Sequence, residues 1–351
     1  MSELSGQVSG VKEQRSGAPA EPLALAVRHL AVHIAGTEVL TDVSLSVARG
    51  GALGVVGESG SGKTMTTRAL TGTLWRVRGQ VSSGAVEIGD QDVTRMGERD
   101  WRRLRGRRIA LVPQSSQSGL DPLMSVRHHM VETLRALGLS GSKDAATERA
   151  RELLRDVGLD PSGGLLEAYA HQLSGGMRQR VMIALALAGD PEILIGDEPT
   201  TALDVTVQRG ILETLARLRR DRGLTLVLVS HDLGVIEEVT DHVAIMYAGT
   251  TVETGPTRRV LSSPSHPYTE ALIDARPSLA HTRRSQMRDV PGVPPQAGEY
   301  PNGCRFAPRC RHASDICTET PARLRSSAPG QRTACIKRAD PSKTDVHEVG
   351  E

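Results

Sequence analysis

Residues 53–70 read LGVVGESGSGKTMTTRAL, and this stretch narrows more than any other what the chain can fold into. It contains Gly57-x4-Gly62-Lys63-Thr64, the pattern of a phosphate-binding loop. The apolar run Leu53–Val56 before it suits a buried parallel strand, and Thr64–Gly72 after it can form a helix. Gly57, Gly60 and Gly62, with Glu58, Ser59 and Ser61 between them, let the backbone curl so that successive N–H groups point at phosphate oxygens. The helix N-terminus adds its partial positive charge. Lys63 is expected to reach the β- and γ-phosphates of a nucleoside triphosphate, and the Thr64 hydroxyl to bind Mg²⁺. A Gly/Ser turn without function would share this composition. The strand before it and the helix after it favour the phosphate site.

A second stretch, EILIGDEPTTALD, points to the same chemistry. Its apolar run Ile193–Ile195 ends in Asp197 and Glu198. A strand that delivers Asp197 beside the phosphate loop gives Mg²⁺ another ligand, through water. Glu198, one residue on, can orient and deprotonate an attacking water. An Asp-Glu pair alone is usually a solvated turn; the apolar strand feeding into it makes that reading poor.

Between the two stands HQLSGGMRQRVMIALALAGDP. With Leu173-Ser174-Gly175-Gly176-Met177 as a signature loop and Ala202-Leu203-Asp204 after the carboxylates, the order of motifs resembles the ATP-binding subunits of ABC transporters, from about Leu23 to Arg338. Ser174, Gly175 and Gly176 precede an apolar helix and so form another phosphate-binding helix N-terminus. The resemblance implies that this loop covers the γ-phosphate held by a second subunit, two ATP molecules being sandwiched head-to-tail, and that Asp204 lies in a loop crossing between the halves. One copy of each motif makes the chain half of such a dimer, homomeric or heteromeric. Gln114, after IALVPQ, resembles the glutamine that contacts Mg²⁺ and the attacking water. His231, after LTLVLVSHD, resembles the switch histidine at the γ-phosphate. A histidine after a strand is more often structural, but strand order and spacing here favour function. The fold implied is α/β: a P-loop NTPase core of the ABC ATPase type with an antiparallel β subdomain, a helical signature subdomain and a small Cys-containing C-terminal extension. The chain departs from the family in two places. Ile34, with His33 beside it, stands where an aromatic usually stacks on adenine, and SSQSGLDPLMSV after Gln114 lacks the usual acidic-Pro start.

Composition excludes other classes. Lys plus Arg total 43 against 41 Asp plus Glu, so no global field attracts nucleic acid or acidic lipid. Aromatics are 2%, leaving few stacking platforms for single strands. The basic run RDWRRLRGRR, Arg99–Arg108, reads as a solvated helix face, and no nucleic-acid partner is expected. The longest apolar stretch, Val181–Gly189, falls short of the roughly 18–20 residues of a membrane span. The N-terminal residues 1–22 lack the apolar core of a secretory signal and read as a disordered tail, as do residues 341–351. These readings place the chain in the cytosol; the resemblance adds the cytoplasmic face of the membrane, bound peripherally.

Along the chain, residues 23–255 read as the ATPase domain, with helical periodicity over about 115–180, and residues 256–340 as an accessory extension. LALAVRHLAVHI, LTDVSLSVARG and GAVEIGDQDVTRM alternate like half-buried antiparallel strands. HPYTEALIDARP, VPGVPP and GCRFAPRC resemble the C-terminal extension of the oligopeptide, dipeptide and nickel importer branch. This implies an ATPase energising peptide import, with two transmembrane permease subunits and, indirectly, an extracytoplasmic solute-binding protein. A nickel or other solute importer is the nearer alternative. A soluble non-transport ABC ATPase is the alternative of another class; such proteins usually carry two cassettes in one chain or a long coiled-coil insertion, and this chain has neither. The importer-type extension counts against an exporter. All four cysteines lie in the extension, Cys304, Cys310, Cys317 and Cys335, spaced x5, x6 and x17. In a reducing compartment such a cluster points to metal rather than disulfides. The spacing lacks the tight Cys-x2-Cys of most zinc sites, whereas a [4Fe–4S] cluster needs no fixed short spacing. Some members of the resembled branch carry such a cluster on matching cysteines; Zn²⁺ is the alternative, and small buried thiols or oxidised pairs the plain ones.

Overall fold

The computed structural model describes residues 22–114, 119–201, 203–276 and 290–339. The two expected tails lie outside these residues, Pro22 apart, as do Ala202 and the start of the segment after Gln114.

Strands β1 (Leu23–Ile34) and β2 (Thr37–Ala48) form an antiparallel hairpin. β3 (Ala52–Val56) then leads through the phosphate loop into α1 (Lys63–Leu70). β4 (Gly79–Ile88) and β5 (Gln91–Asp92) complete a sheet of order β2-β1-β4-β5, the subdomain expected from the alternating segments. After α2 (Glu98–Leu104) and β6 (Ile109–Val112) comes the helical part, α3 (Val126–Ala136), α4 (Lys143–Asp156) and α5 (Gly175–Ala186). Ser125 and Ser142 start α3 and α4 by accepting N–H bonds from His128 and Ala145. The core resumes with β7 (Ile193–Asp197), α6 (Val205–Arg222), β8 (Thr225–Ser230), α7 (Leu233–Val239), β9 (His242–Tyr247) and β10 (Thr250–Pro256). The extension holds α8 (Thr257–Ser262), α9 (Pro267–Asp274), α10 (Asp315–Glu319), β11 (Arg325–Ala328) and β12 (Gln331–Thr333).

The large sheet runs β11-β12-β10-β9-β3-β8-β7-β6, parallel from β9 to β6. Its parallel strands are apolar on both faces because both faces are covered. Leu53, Val55, Ile193, Ile195, Val227 and Val229 face the antiparallel subdomain. Ala52, Val56, Leu194, Leu226 and Leu228 face the helices. At the C-terminal edge the apolar runs give way to Asp197 and Ser230, and it is at this edge that a doubly covered sheet opens to ligands.

The extension is not a separate appendage. β12 pairs with β10 through Glu253↔Thr333 and Thr254↔Arg332, so the core sheet continues into it past residue 255. The buried Glu253 carboxylate fixes this join, accepting from Ser265 N–H at 2.6 Å, His266 N–H at 3.0 Å and Gln331 Nε2 at 2.7 Å. The basic run around α2 is largely occupied: Arg105 pairs with Glu98 and Arg108 with Glu192, while Trp101 and Leu104 are buried.

Candidate nucleotide site and four-cysteine cavity

The phosphate loop joins the buried end of β3 to α1. Gly57 leaves no room for a side chain, since a Cβ there would stand 2.2 Å from Met246 O. Gly62 caps α1 at φ 103°, a left-handed conformation that only glycine adopts readily. The Lys63 ammonium is buried under the loop and donates to Gly57 O at 2.7 Å and Glu58 O at 3.0 Å. Burial lowers its pKa against the opposing pull of Glu198, Asp197 and Glu58. Ser59, Gly60 and Thr64 are exposed, so the loop rim and the Thr64 hydroxyl face outward. Ser61 Oγ is buried and has no hydrogen-bond partner, as a group reserved for a ligand would be.

Asp197 ends β7 beside this loop. Burial, and then the Glu198 charge, raise its pKa, with Lys63 working the other way. Glu198 has φ 48°, strained for a non-glycine residue, and its N–H donates to Val229 O at 2.9 Å. Three side chains converge on its Oε2: Gln114 Nε2 and Thr201 Oγ1, each at 2.9 Å, and His231 Nδ1 at 3.4 Å. Gln114 and His231, at the ends of different strands, are thus brought together with Glu198. Thr201 escaped the sequence reading; its only signal is a position three residues after Glu198, in a turn where Thr201 N–H donates to Glu198 O at 3.2 Å.

The signature residues start α5. Ser174 is exposed and its hydroxyl accepts the Met177 N–H at 3.2 Å; Gly175 and Gly176 pack against Leu203 and Val207. Asp204 caps α6 by accepting the Val207 N–H at 2.9 Å, a structural duty beside any role at an interface.

Two family models match the chain: ABC transporter over residues 40–201, and oligopeptide/dipeptide transporter, C-terminal region, over residues 252–317. The dipeptide transport ATP-binding protein DppD of Escherichia coli is 39% identical over 315 residues, covering 89% of this chain and 95% of that one. The oligopeptide transport ATP-binding protein OppD of Salmonella typhimurium is 40% identical over 298 residues, covering 85% and 88%. The chain belongs to the ABC transporter ATP-binding family. Solved ABC proteins share its fold. CbiO1 of Clostridium perfringens has TM-score 0.60 at 26% identity over 69% of this chain and 92% of that one. The ATP-binding cassette MJ0796, in a dimeric post-hydrolysis state with ADP and Pi, has TM-score 0.59 at 25% identity over 67% and 99%. As an ABC ATPase the chain binds and hydrolyses ATP in work coupled to transport.

Ile34, at the position where the resemblance expects an aromatic, ends β1. The neighbouring His33 is engaged by Ser82 Oγ at 3.0 Å and lies 3.8 Å from Glu38 Oε2. Among the described residues no helix is long and apolar enough to cross a membrane.

In the extension, all four cysteines are free thiols lining one cavity of about 240 Å³. Burial pushes Cys304 up to about 11 and raises Cys310. Among the described residues no three His, Cys, Asp or Glu side chains are grouped as a single metal ion requires. Four thiols are the donor type that an iron–sulfur cluster takes. The site reading also missed Tyr268 and Arg309, whose side chains from the extension touch the phosphate loop.

Proposed function

We propose that this ABC ATPase energises the import of short peptides across the cell membrane, docked at its cytoplasmic face on two permease subunits that a solute-binding protein supplies outside. The observation that carries this reading is the pairing of an intact hydrolytic cluster on Glu198 with an extension of the oligopeptide/dipeptide transporter type in one chain. Dipeptide and oligopeptide transport are named for the relatives that share 39% and 40% identity.

In this reading the loop N–H groups and Lys63 hold the phosphates, and Ser174 to Gly176 of a second ATPase subunit close over the γ-phosphate from across the dimer. Thr64, Asp197 and Gln114 would hold Mg²⁺, which would supply charge neutralisation at the phosphates. Glu198 accepts a proton from water as its oxygen bonds to the γ-phosphorus and the bond to ADP breaks. Gln114, Thr201 and His231 fix the carboxylate for that step, and His231 faces the γ-phosphate. Loss of that phosphate removes the contacts that held two subunits together.

The test is uptake of a labelled dipeptide and a labelled tetrapeptide by cells carrying the wild-type chain or Glu198→Gln. Uptake should fall to background in the variant. Equal uptake in both would defeat the peptide assignment and turn the search to nickel or other solutes.

The cysteine cavity is proposed to hold a [4Fe–4S] cluster that staples the extension, a region poor in apolar residues. Protein purified without oxygen should contain iron and acid-labile sulfide in equal amounts and show a visible band bleached by dithionite. Iron-free protein with bound zinc, or with neither, would end that reading.

A further inference from the structure

One residue of the phosphate loop, Glu58, is held on three sides. Its N–H donates to Tyr268 Oη at 2.9 Å, and its carbonyl accepts from Lys63 Nζ at 3.0 Å. Its carboxylate accepts from Arg309 Nη1 at 2.9 Å and Nη2 at 3.3 Å. Two of these three partners come from the extension, 210 and 251 residues further along the chain. They are built in: Tyr268 is fully buried, and the Arg309 side chain is only 6% exposed. Arg309 also donates to Pro291 O at 2.6 Å, Val290 O at 3.1 Å and Tyr247 Oη at 3.2 Å. A guanidinium so fixed loses little freedom in pairing and is poorly screened, unlike a surface ion pair.

The same turn reaches the other end of the loop. Arg305 donates to Ala248 O and, at 2.7 Å, to Thr41 Oγ1. The next residue, Gly249, donates its N–H to Ser61 O at 2.9 Å. Both ends of the loop are therefore tied, directly or through the Ala248–Gly249 peptide, to the segment Cys304–Cys310.

The charge at Glu58 matters for an anionic ligand. An unpaired carboxylate in the loop would repel a triphosphate in a half-buried site, and the Arg309 guanidinium cancels it. Arg309 holds the Glu58 side chain while Tyr268 holds its peptide N–H, so the extension grips this residue at both ends.

We propose that the extension, through Tyr268 and the Cys304–Cys310 turn, braces the phosphate loop and that Arg309 is its positioning residue, acting on ATP affinity through Glu58. The proposal rests on the ATP-binding reading of the loop. By linkage, ATP bound at the loop stabilises the turn by the same factor that the turn strengthens ATP. The extension thus serves the ATPase site itself.

The experiment is a double-mutant cycle on the full-length chain: wild type, Arg309→Gln, Glu58→Gln and the double variant, with Arg309→Lys beside them. Fluorescent mant-ATP with Mg²⁺ reports Kd, and steady-state hydrolysis separates KM from kcat. Arg309→Gln should weaken mant-ATP binding about fivefold or more and raise KM by the same factor, with kcat little changed. Arg309→Lys should recover part of the loss. The double variant should bind better than the two single losses combined, because Glu58→Gln removes the very charge that Arg309→Gln leaves orphaned. Binding by Arg309→Gln within twofold of wild type, or strictly additive losses, would overturn the proposal. So would a fall in kcat at constant KM, the mark of a smaller folded fraction. Should Arg309→Gln fail to fold, Tyr268→Phe decides: it removes only the hydroxyl that accepts the Glu58 N–H, and an unchanged Kd there would overturn the brace. Absence of mant-ATP binding by the wild type would instead bring down the ATP reading on which the brace stands.

Discussion

His266 shows how a single buried side chain can set the pH range of a whole region. It is fully buried, its Nδ1 accepts the Tyr268 N–H at 3.1 Å, and burial pushes its pKa down to about 3. The unfolded chain protonates this histidine near the ordinary value of 6.5. Between those two values the unfolded state binds the extra proton, so stability is lost as pH falls. At about pH 5 the loss through this residue is about 2 kcal/mol. Glu253, which accepts the His266 backbone N–H, has its pKa raised by the same burial and works in the opposite sense. Urea unfolding of wild type and His266→Asn at pH 7.5 and pH 5 isolates the histidine, because both chains carry Glu253. Asn offers an acceptor where Nδ1 stood and cannot take up the proton. The variant should lose about 2 kcal/mol less than wild type on acidification. Equal losses would show that His266 does not titrate between these states.

At the scale of elements, legibility followed locality. The strand, phosphate loop and α1 are contiguous, so their apolar run, glycines and Lys63 could be read together. Glu198, Gln114 and His231 each follow an apolar strand, and parallel strands that are adjacent in the sheet bring such ends together whatever their separation in sequence. Thr201 was hidden because a threonine in a turn carries no pattern of its own. β11 and β12 were hidden for a related reason: RSSA and QRT have no apolar alternation, and they are strands only because β10 offers an edge to pair with. Through that edge the accessory extension continues the core sheet. Tyr268 and Arg309 were the least legible. An aromatic buried beside Tyr247 and Phe306, and an arginine between two cysteines, look like local packing until the chain closes on Glu58. The cysteines were legible as a group, since all four fall between residues 304 and 335, but spacing alone did not say that they line one cavity.

The whole molecule poses a question that no single element answers. Ser174 and the two glycines after it form a second phosphate-type helix start, yet the chain has only one phosphate loop. In the proposed reading the signature loop is directed at a partner's ATP, which makes each subunit the lid of the other. Hydrolysis then limits the lifetime of the pair, because the γ-phosphate that joins the two halves is consumed. This separates the roles of two residues. Glu198→Gln keeps the loop and the proposed Mg²⁺ ligands but removes the proposed base, so ATP should stay intact and the dimer should accumulate. Ser174→Arg keeps the loop and the proposed base but places bulk where, in this reading, the partner's γ-phosphate would sit. With Mg²⁺ and ATP, light scattering after size exclusion should therefore give the mass of two chains for Glu198→Gln and of one chain for Glu198→Gln with Ser174→Arg added. Mant-ATP should bind both at similar affinity, since each retains its own Lys63 and loop. A dimer that survives Ser174→Arg, or that forms equally with ADP, would mean that the two chains meet on another surface and that the signature loop acts within its own subunit.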